Sequence, residues 1–236
     1  MGKLPPEPEK CAMCRARALS IFHVCTIPAT ERLDEVRTSL VFKKGEEIFQ
    51  EGHRPSGVYC ITWGKVKLVK LGSEGKEKII RLSGPGDLLG YKAIVGNGTF
   101  TGTAVTLDDT RVCFIPKSDF LAMLSTDAQL SFRFTQLLCR NISAVESETV
   151  DIAYKSVRER LAEALLLLQE KFRFENDNPN IINVTREDLA NLIGTAKETV
   201  IRLLSDFKDE GIVESMGRKI VLKDHKALVK MCNMDD

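Results

Sequence analysis

The run TREDLANLIGTAKETVIRLL, residues 185–204, constrains this chain more than any other stretch. Thr185 followed three residues later by Asp188 reads as a helix start of the capping-box kind. Leu189, Leu192 and Ile193 give that helix one apolar stripe, and Gly194 ends it, because a sharp helix–helix turn needs the left-handed conformation glycine adopts freely. A second helix follows, with Val200, Leu203, Leu204 and Phe207 at i, i+3, i+4, i+7. Its opposite face carries Lys197, Glu198, Ile201, Arg202 and Ser205. A short helix that buries one stripe and shows Lys, Glu and Arg near its start suits the major groove of DNA. The competing reading is an ordinary amphipathic helix, with Thr195 to Glu198 serving as a capping box. Past Phe207, the residues Val213 to Leu222 read as a hairpin turning at Met216-Gly217-Arg218, which would be a wing.

Length and composition set the frame. With 236 residues, the chain has room for one large or two ordinary domains. At 43% hydrophobic and 28% charged it is globular in type. The formal net charge of +1 does not announce nucleic acid, so any basic surface must be local. The polar, proline-rich first residues hold no secretory signal, and the longest aliphatic run, Leu165 to Leu168, is far too short to span a bilayer. A cytoplasmic protein without a membrane partner is therefore expected.

The 7 cysteines, an odd number scattered through a sizeable chain, point to cytosolic thiols or metal ligands and not to a disulfide framework. Near the amino end, KCAMCRARALSIFHVC holds Cys11-x2-Cys14 and then Cys25. A two-residue gap lets two sulfurs face one ion or one cluster edge. Lys10, Arg15 and Arg17 nearby would lower thiol pKa values and offset an anionic cluster. By itself the motif leaves open half a zinc site, a redox pair and chance. No second C-x2-C and no His pair complete a zinc finger, and no βαβ pattern supports a thioredoxin-like site. His23 and His53 are isolated histidines and read as surface or packing residues, not haem ligands.

Between residues 36 and 120 short strands recur. Val41 to Phe49 reads as two strands with a turn at Lys44-Gly45. Tyr59 to Val69 reads as two more joined near Gly64, and Lys78 to Leu82 as a return strand after a turn at Leu71 to Gly75. Ser83 to Asp87 is another turn. Thr103 to Leu107 and Thr110 to Ile115 read as a last pair, with Asp108-Asp109 between them. Many short strands at near-regular spacing predict a β-roll or jelly roll. Lys117 to Leu124 reads as a short helix that Ser118 caps.

From Asp127 to about Ala153 there is neither proline nor glycine. Leu138, Val145 and Ile152 fall seven apart, with Phe134, Ile142 and Thr149 near the complementary positions. That spacing suits a seam between two parallel helices, and equally a helix packed on its own barrel. A hinge falls near Tyr154 to Ser156. A helix from Val157 to Phe172 turns Leu161, Leu165 and Leu168 inward, a loop follows from Phe174 to Asn180, Ile181 to Val184 reads as a strand, and the tail after Asp224 is helical.

GTAKETVIRLL, with Gly194, Glu198, Thr199, Val200, Arg202 and Leu203 in matching positions, resembles the recognition-helix signature of the CRP/FNR transcription regulators. Gly64-Lys65-Val66-Lys67 and Pro85 to Gly90 resemble the cyclic-nucleotide-binding fold. The resemblance implies an α+β chain: a cysteine-containing segment over 1–30, a cyclic-nucleotide-binding-type β-roll over 31–124, a dimerisation helix over 125–153, and a winged helix-turn-helix over 154–236. It implies a homodimer through Phe134, Leu138, Ile142, Val145 and Ile152. It implies a palindromic double-stranded DNA site, touched by Thr195, Lys197, Glu198, Thr199, Arg202 and Arg218, with RNA polymerase as a further partner and no enzymatic activity. The oxygen-sensing FNR branch carries three cysteines at the amino end and a fourth in the barrel, which together bind a [4Fe-4S] cluster. By that resemblance Cys11, Cys14, Cys25 and Cys113 are the ligands, although the gap between Cys14 and Cys25 is longer than the branch's own. A loop absorbs extra residues at modest entropic cost. Oxygen or nitric oxide would dismantle the cluster and release the dimer. Cyclic-nucleotide pockets place a Glu just after the glycine-rich turn and an Arg later. Asp87 to Tyr91 and Thr99 to Thr103 contain neither, and a buried phosphate without a cation is costly, so cyclic AMP is not expected. The alternative within the family is a small organic effector, or none, with no cluster.

Overall fold

The structure is a computed structural model that describes residues 10–72, 75–172, 178 and 180–232, with Phe172 described by its backbone alone. The expected turn at Ser73-Glu74 and most of the loop expected from Phe174 to Asn180 lie outside the described residues. The chain separates into two units. The first holds the described residues before position 73 together with Ile80–Ser143; the second holds the short segment ending at Ile79 and the residues from Ala144 onward.

In the first unit, three short 3-10 turns, Cys11–Met13, Arg15–Leu19 and Ile21–Val24, carry the chain to helix α1 (Ile27–Val36). Thr26 Oγ1 accepts from the Ala29 N–H, and Pro28 sits in the first turn, where its missing donor costs nothing. The sequence reading assigned no helix here, because only Thr30 and Leu33 are buried and the apolar stripe is correspondingly faint.

Eight strands follow: β1 (Thr38–Phe42), β2 (Glu47–Phe49), β3 (Gly57–Trp63), β4 (Val66–Leu71), β5 (Glu77–Ser83), β6 (Leu88–Leu89), β7 (Thr103–Thr106) and β8 (Thr110–Pro116), with the short helix α2 (Tyr91–Val95) before β7. They form two sheets, ordered β1-β8-β3-β6 and β2-β7-β4-β5. Apart from β4 and β5, which lie side by side in one sheet, neighbours in sequence fall in opposite sheets. This corrects the expected last pair: β7 pairs with β2 and β4, whereas β8 pairs with β1 and β3. The Asp108-Asp109 turn hands the chain across. Asp108 Oδ1 accepts from the Lys65 N–H at 2.7 Å, and Asp109 Oδ1 from the Lys44 N–H at 3.2 Å. Gly64, at φ +90°, lies so close over Thr110 that a Cβ would sit 2.5 Å from its Oγ1. The sheet interiors are apolar, with Val58, Ile61, Val66, Ala104, Val112 and Ile115 at or below 1% exposure.

Helix α3 (Lys117–Thr126) starts after Pro116 without a side-chain cap; Ser118 bonds Asp119 instead of capping it. Helix α4 (Ala128–Tyr154) is started by Asp127, whose Oδ1 accepts from the N–H groups of Gln129 and Leu130, each at 3.0 Å. Its first turns belong to the barrel core. Phe134 is buried and meets Tyr91 and Phe120 edge-on, with ring centroids 5.7 and 5.8 Å away. Phe134 is therefore a packing residue of its own subunit, not a seam residue.

In the second unit, α5 (Val157–Phe172) buries Leu161, Leu165 and Leu168 as expected. Ser156 and Glu159 start it reciprocally: Glu159 Oε2 accepts from the Ser156 N–H at 2.6 Å, and Ser156 Oγ accepts from the Glu159 N–H at 3.3 Å. Next come β9 (Ile181–Asn183), α6 (Arg186–Ile193), α7 (Lys197–Asp209), β10 (Val213–Met216), β11 (Lys219–Leu222) and α8 (His225–Met231). The strands form one sheet in the order β10-β11-β9.

Candidate nucleic-acid interface and cysteine cavity

Thr185 starts α6 with a two-way contact. Its Oγ1 accepts from the Asp188 N–H at 2.9 Å and donates to the Asp188 carboxylate at 2.6 Å. Gly194 takes φ +70°, and its N–H closes the helix on the Ala190 carbonyl at 2.9 Å. The chain then enters α7 at Ala196, which caps through no side chain, so the capping box from Thr195 does not form. Helix α7 buries Val200, Leu203, Leu204 and Phe207, each worth about 1.5–3 kcal/mol. That anchor leaves the other face fixed in space. Lys197, Glu198, Ile201, Arg202 and Ser205 are exposed, while Thr195 and Thr199 are half-buried at the helix start.

The Arg202 guanidinium lies 3.7 Å from the Asp206 carboxylate one turn on. Such an exposed i,i+4 pair is worth only about 0.3–0.5 kcal/mol, so it orients the side chain and yields readily to a stronger acceptor. The wing hairpin is β10 and β11, in register from Val213 opposite Leu222 to Met216 opposite Lys219. Arg218 is exposed at its turn, and the Arg218 carbonyl accepts from the Val184 N–H at 3.2 Å. Two residues the sequence reading passed over hold the wing to the first helix: the Arg186 guanidinium donates to the Ser215 hydroxyl. Spacing gives no sign of this, because the partners lie on different elements.

Along α4 the expected seam residues divide. Phe134 is buried and Leu138 packs partly on the barrel core. Ile142, Val145 and Ile152 are 59%, 56% and 49% exposed, an apolar stripe with heptad spacing left uncovered within the chain.

The cysteines divide as well. All seven are thiols. Cys11, Cys14, Cys60 and Cys113 line one narrow cavity that opens to solvent. Asp34 fixes the amino-end wall, accepting from the Cys11 N–H at 2.6 Å and from Arg37 Nε at 2.9 Å. Arg37 in turn reaches the Cys113 sulfur at 3.5 Å. Arg17, also in the wall, has a buried Nε with no hydrogen-bond partner among the described residues. Burial above all, with Asp34 and the sulfurs of Cys14 and Cys113 adding to it, pushes the Cys11 thiol up to about 12 against the pull of Arg17. Burial first, then the sulfurs of Cys113, Cys11 and Cys14 and the Asp87 carboxylate, raises Cys60 well above the ordinary thiol range.

Cys25 stands elsewhere. It is buried in the core next to α1, its carbonyl accepts from Arg17 at 3.3 Å, and its thiol is pushed to about 11 by burial and Asp127, with no other cysteine contributing. The two 3-10 turns between Cys14 and Cys25 carry it past the cavity. Among the described residues no three His, Cys, Asp or Glu side chains converge closely enough for a single metal ion. The four thiols border a space instead of meeting at a point.

Elsewhere, Asp87 acts as a turn residue, its Oδ2 accepting from the Gly84 N–H at 3.0 Å, and Tyr91 is buried. No helix among the described residues is long and apolar enough to cross a membrane.

An eight-stranded β-roll, a long helix and a winged helix-turn-helix with an exposed polar recognition face define a DNA-binding transcription regulator. The comparisons agree. The cyclic nucleotide-binding domain model matches residues 39–127, and the Crp-like helix-turn-helix domain model matches residues 159–231. The chain is 26% identical to the fumarate and nitrate reduction regulatory protein of Escherichia coli K12, over 94% of this chain and 89% of that protein. It is 26% identical to a CRP-like cAMP-activated global transcriptional regulator of Mycobacterium tuberculosis, over 80% of this chain and 85% of that one. The structure of FixK2 from Bradyrhizobium japonicum superposes with a TM-score of 0.73 at 26% identity, covering 83% of this chain and 97% of that one. The chain belongs to the CRP/FNR family of transcription regulators.

Proposed function

We propose that the chain acts as a cytoplasmic homodimer that lays its two α7 helices into neighbouring major-groove turns of a palindromic site and thereby regulates RNA polymerase. The observation that carries this is the division of α7: four apolar side chains lock one face, and Lys197, Glu198 and Arg202 stand exposed on the other. Arg202 donates two hydrogen bonds to a guanine edge, Glu198 accepts from a cytosine amino group, and Lys197 reaches a guanine or a phosphate. Thr195, Thr199 and Arg218 hold phosphates and set the register without reading sequence. The stripe of Ile142, Val145 and Ile152, with Leu138 at its root, is the dimer seam. On this reading 31–124 is the sensor, 125–153 the dimerisation helix and 154–236 the reading head.

The same reading assigns the signal to the cysteine cavity, as the site of an iron–sulfur cluster sensitive to oxygen or nitric oxide. Soft sulfur donors suit such a cluster, and the buried Nε of Arg17 together with the Arg37 guanidinium supplies positive charge and donors to an anionic group there. When bound, a cluster supplies an oxidation-sensitive link between the amino end and the barrel. The residues around it do the rest. Asp34 positions Cys11 and Arg37, and Arg37 positions Cys113. Of the four ligands expected from sequence, Cys11, Cys14 and Cys113 meet at the cavity. Iron and acid-labile sulfide in protein isolated without oxygen test this part; their absence, with a colourless solution, contradicts it. Loss of salt-dependent duplex binding in Arg202→Ala tests the other.

A further inference from the structure

We infer that Cys60, and not Cys25, is the fourth thiol ligand of the cavity, so that the cluster site is Cys11, Cys14, Cys60 and Cys113. This rests on the cluster reading and refines it.

The argument begins with register. Strands β3 and β8 are antiparallel neighbours, and Cys60 lies directly opposite Cys113. Directly opposed residues project to the same face of a sheet, with Cβ atoms about 4.5–5.5 Å apart. A ligand at Cys113 therefore brings Cys60 with it. That face is covered by the amino-end segment, which places Cys11 and Cys14 against the same cavity. Two sulfurs thus come from the sheet and two from the covering segment. A link made this way fastens the segment to the barrel at two points on each side.

Cys25 lacks every one of these relations. It does not line the cavity, although it is buried in the same core cluster as Cys60. The 3-10 turns Arg15–Leu19 and Ile21–Val24 separate it from Cys14, and the buried Phe22, not Cys25, is what the second turn turns to the cavity. Its carbonyl already anchors Arg17, which stands in the cavity wall. Cys25 is thus a small apolar residue of the core, a common role for free cysteine.

The test uses the full chain isolated and handled without oxygen, as wild type and as Cys60→Ala, Cys60→Ser, Cys25→Ala and Cys113→Ser. Iron, acid-labile sulfide and visible absorbance are measured per chain, and circular dichroism melting confirms that each variant is folded. The expected result is wild-type iron and sulfide in Cys25→Ala, and loss of most of both in the two Cys60 variants and in Cys113→Ser. A folded Cys25→Ala that loses its iron overturns the assignment, as does a Cys60 variant that keeps the wild-type content, while the cluster reading survives either result. Wild-type protein without iron and sulfide overturns the cluster reading and the assignment together. If the Cys60 variants fail to fold, the Cys25→Ala measurement still decides against the assignment whenever iron is lost.

Discussion

The Tyr91 hydroxyl accepts a hydrogen bond of 2.6 Å from Asn141 Nδ2, joining α2 of the barrel to the middle of α4. The same oxygen accepts from the Arg81 guanidinium at 2.8 Å. The ring is held by Phe134, so barrel wall and helix meet through one rigid side chain. Asn141 immediately precedes Ile142 of the exposed stripe.

Tyr91→Phe keeps the ring packing and removes both hydrogen bonds. The expected cost is about 1–2 kcal/mol, the net worth of a buried polar contact with its donors left partly unsatisfied. It should appear as a lower denaturant midpoint at unchanged slope. An unchanged midpoint would show that Tyr91 serves the fold by packing alone.

Two glycines separate strain from clash. Gly194 has a left-handed backbone but open space around a Cβ, so Gly194→Ala should cost about 1–2 kcal/mol, the local price of that conformation. At Gly64 a Cβ would also meet Thr110 Oγ1 at 2.5 Å and the Asp109 carbonyl oxygen at 2.8 Å. Gly64→Ala should therefore destabilise clearly more than Gly194→Ala in the same thermal or chemical unfolding series. Equal effects would contradict the close approach at the crossover between the sheets.

The α4 stripe and the α5 core predict opposite phenotypes. Ile142→Glu or Val145→Glu places charge on an exposed position, so the folded subunit should be kept while sedimentation shows a shift from dimer toward monomer. Leu161→Ala removes a fully buried side chain and should cost about 2–5 kcal/mol in the stability of its unit. A dimer indifferent to both stripe substitutions would place the seam elsewhere.

What was legible in the sequence followed from local periodicity. Val200, Leu203, Leu204 and Phe207 announce the buried side of α7, and Leu161, Leu165 and Leu168 that of α5, because each helix has one covered side. Phe134 misled because a heptad phase reads alike whether a residue meets another subunit or its own barrel. Thr195 and Ser118 looked like caps, yet α7 and α3 begin at Ala196 and Pro116 with no side-chain cap. The partners of β7 and β8 were hidden because alternation reports which face a residue takes, not which strand lies beside it. The neighbourhood of Cys60 was hidden for the same reason: its place opposite Cys113 is set by pairing between strands far apart in sequence.

The central claim is that two polar α7 faces read one duplex. It is tested most directly by selection from a pool of random duplexes with protein isolated without oxygen, wild type beside Arg202→Ala. The account predicts enrichment of a two-fold symmetric sequence with half-sites about one helical turn apart. In Arg202→Ala it predicts a preference lost chiefly at one symmetry-related G·C pair, at a cost of about 1–3 kcal/mol per contact. Failure of the wild type to enrich any symmetric sequence, or an Arg202→Ala variant with unaltered preference at every position, would contradict it.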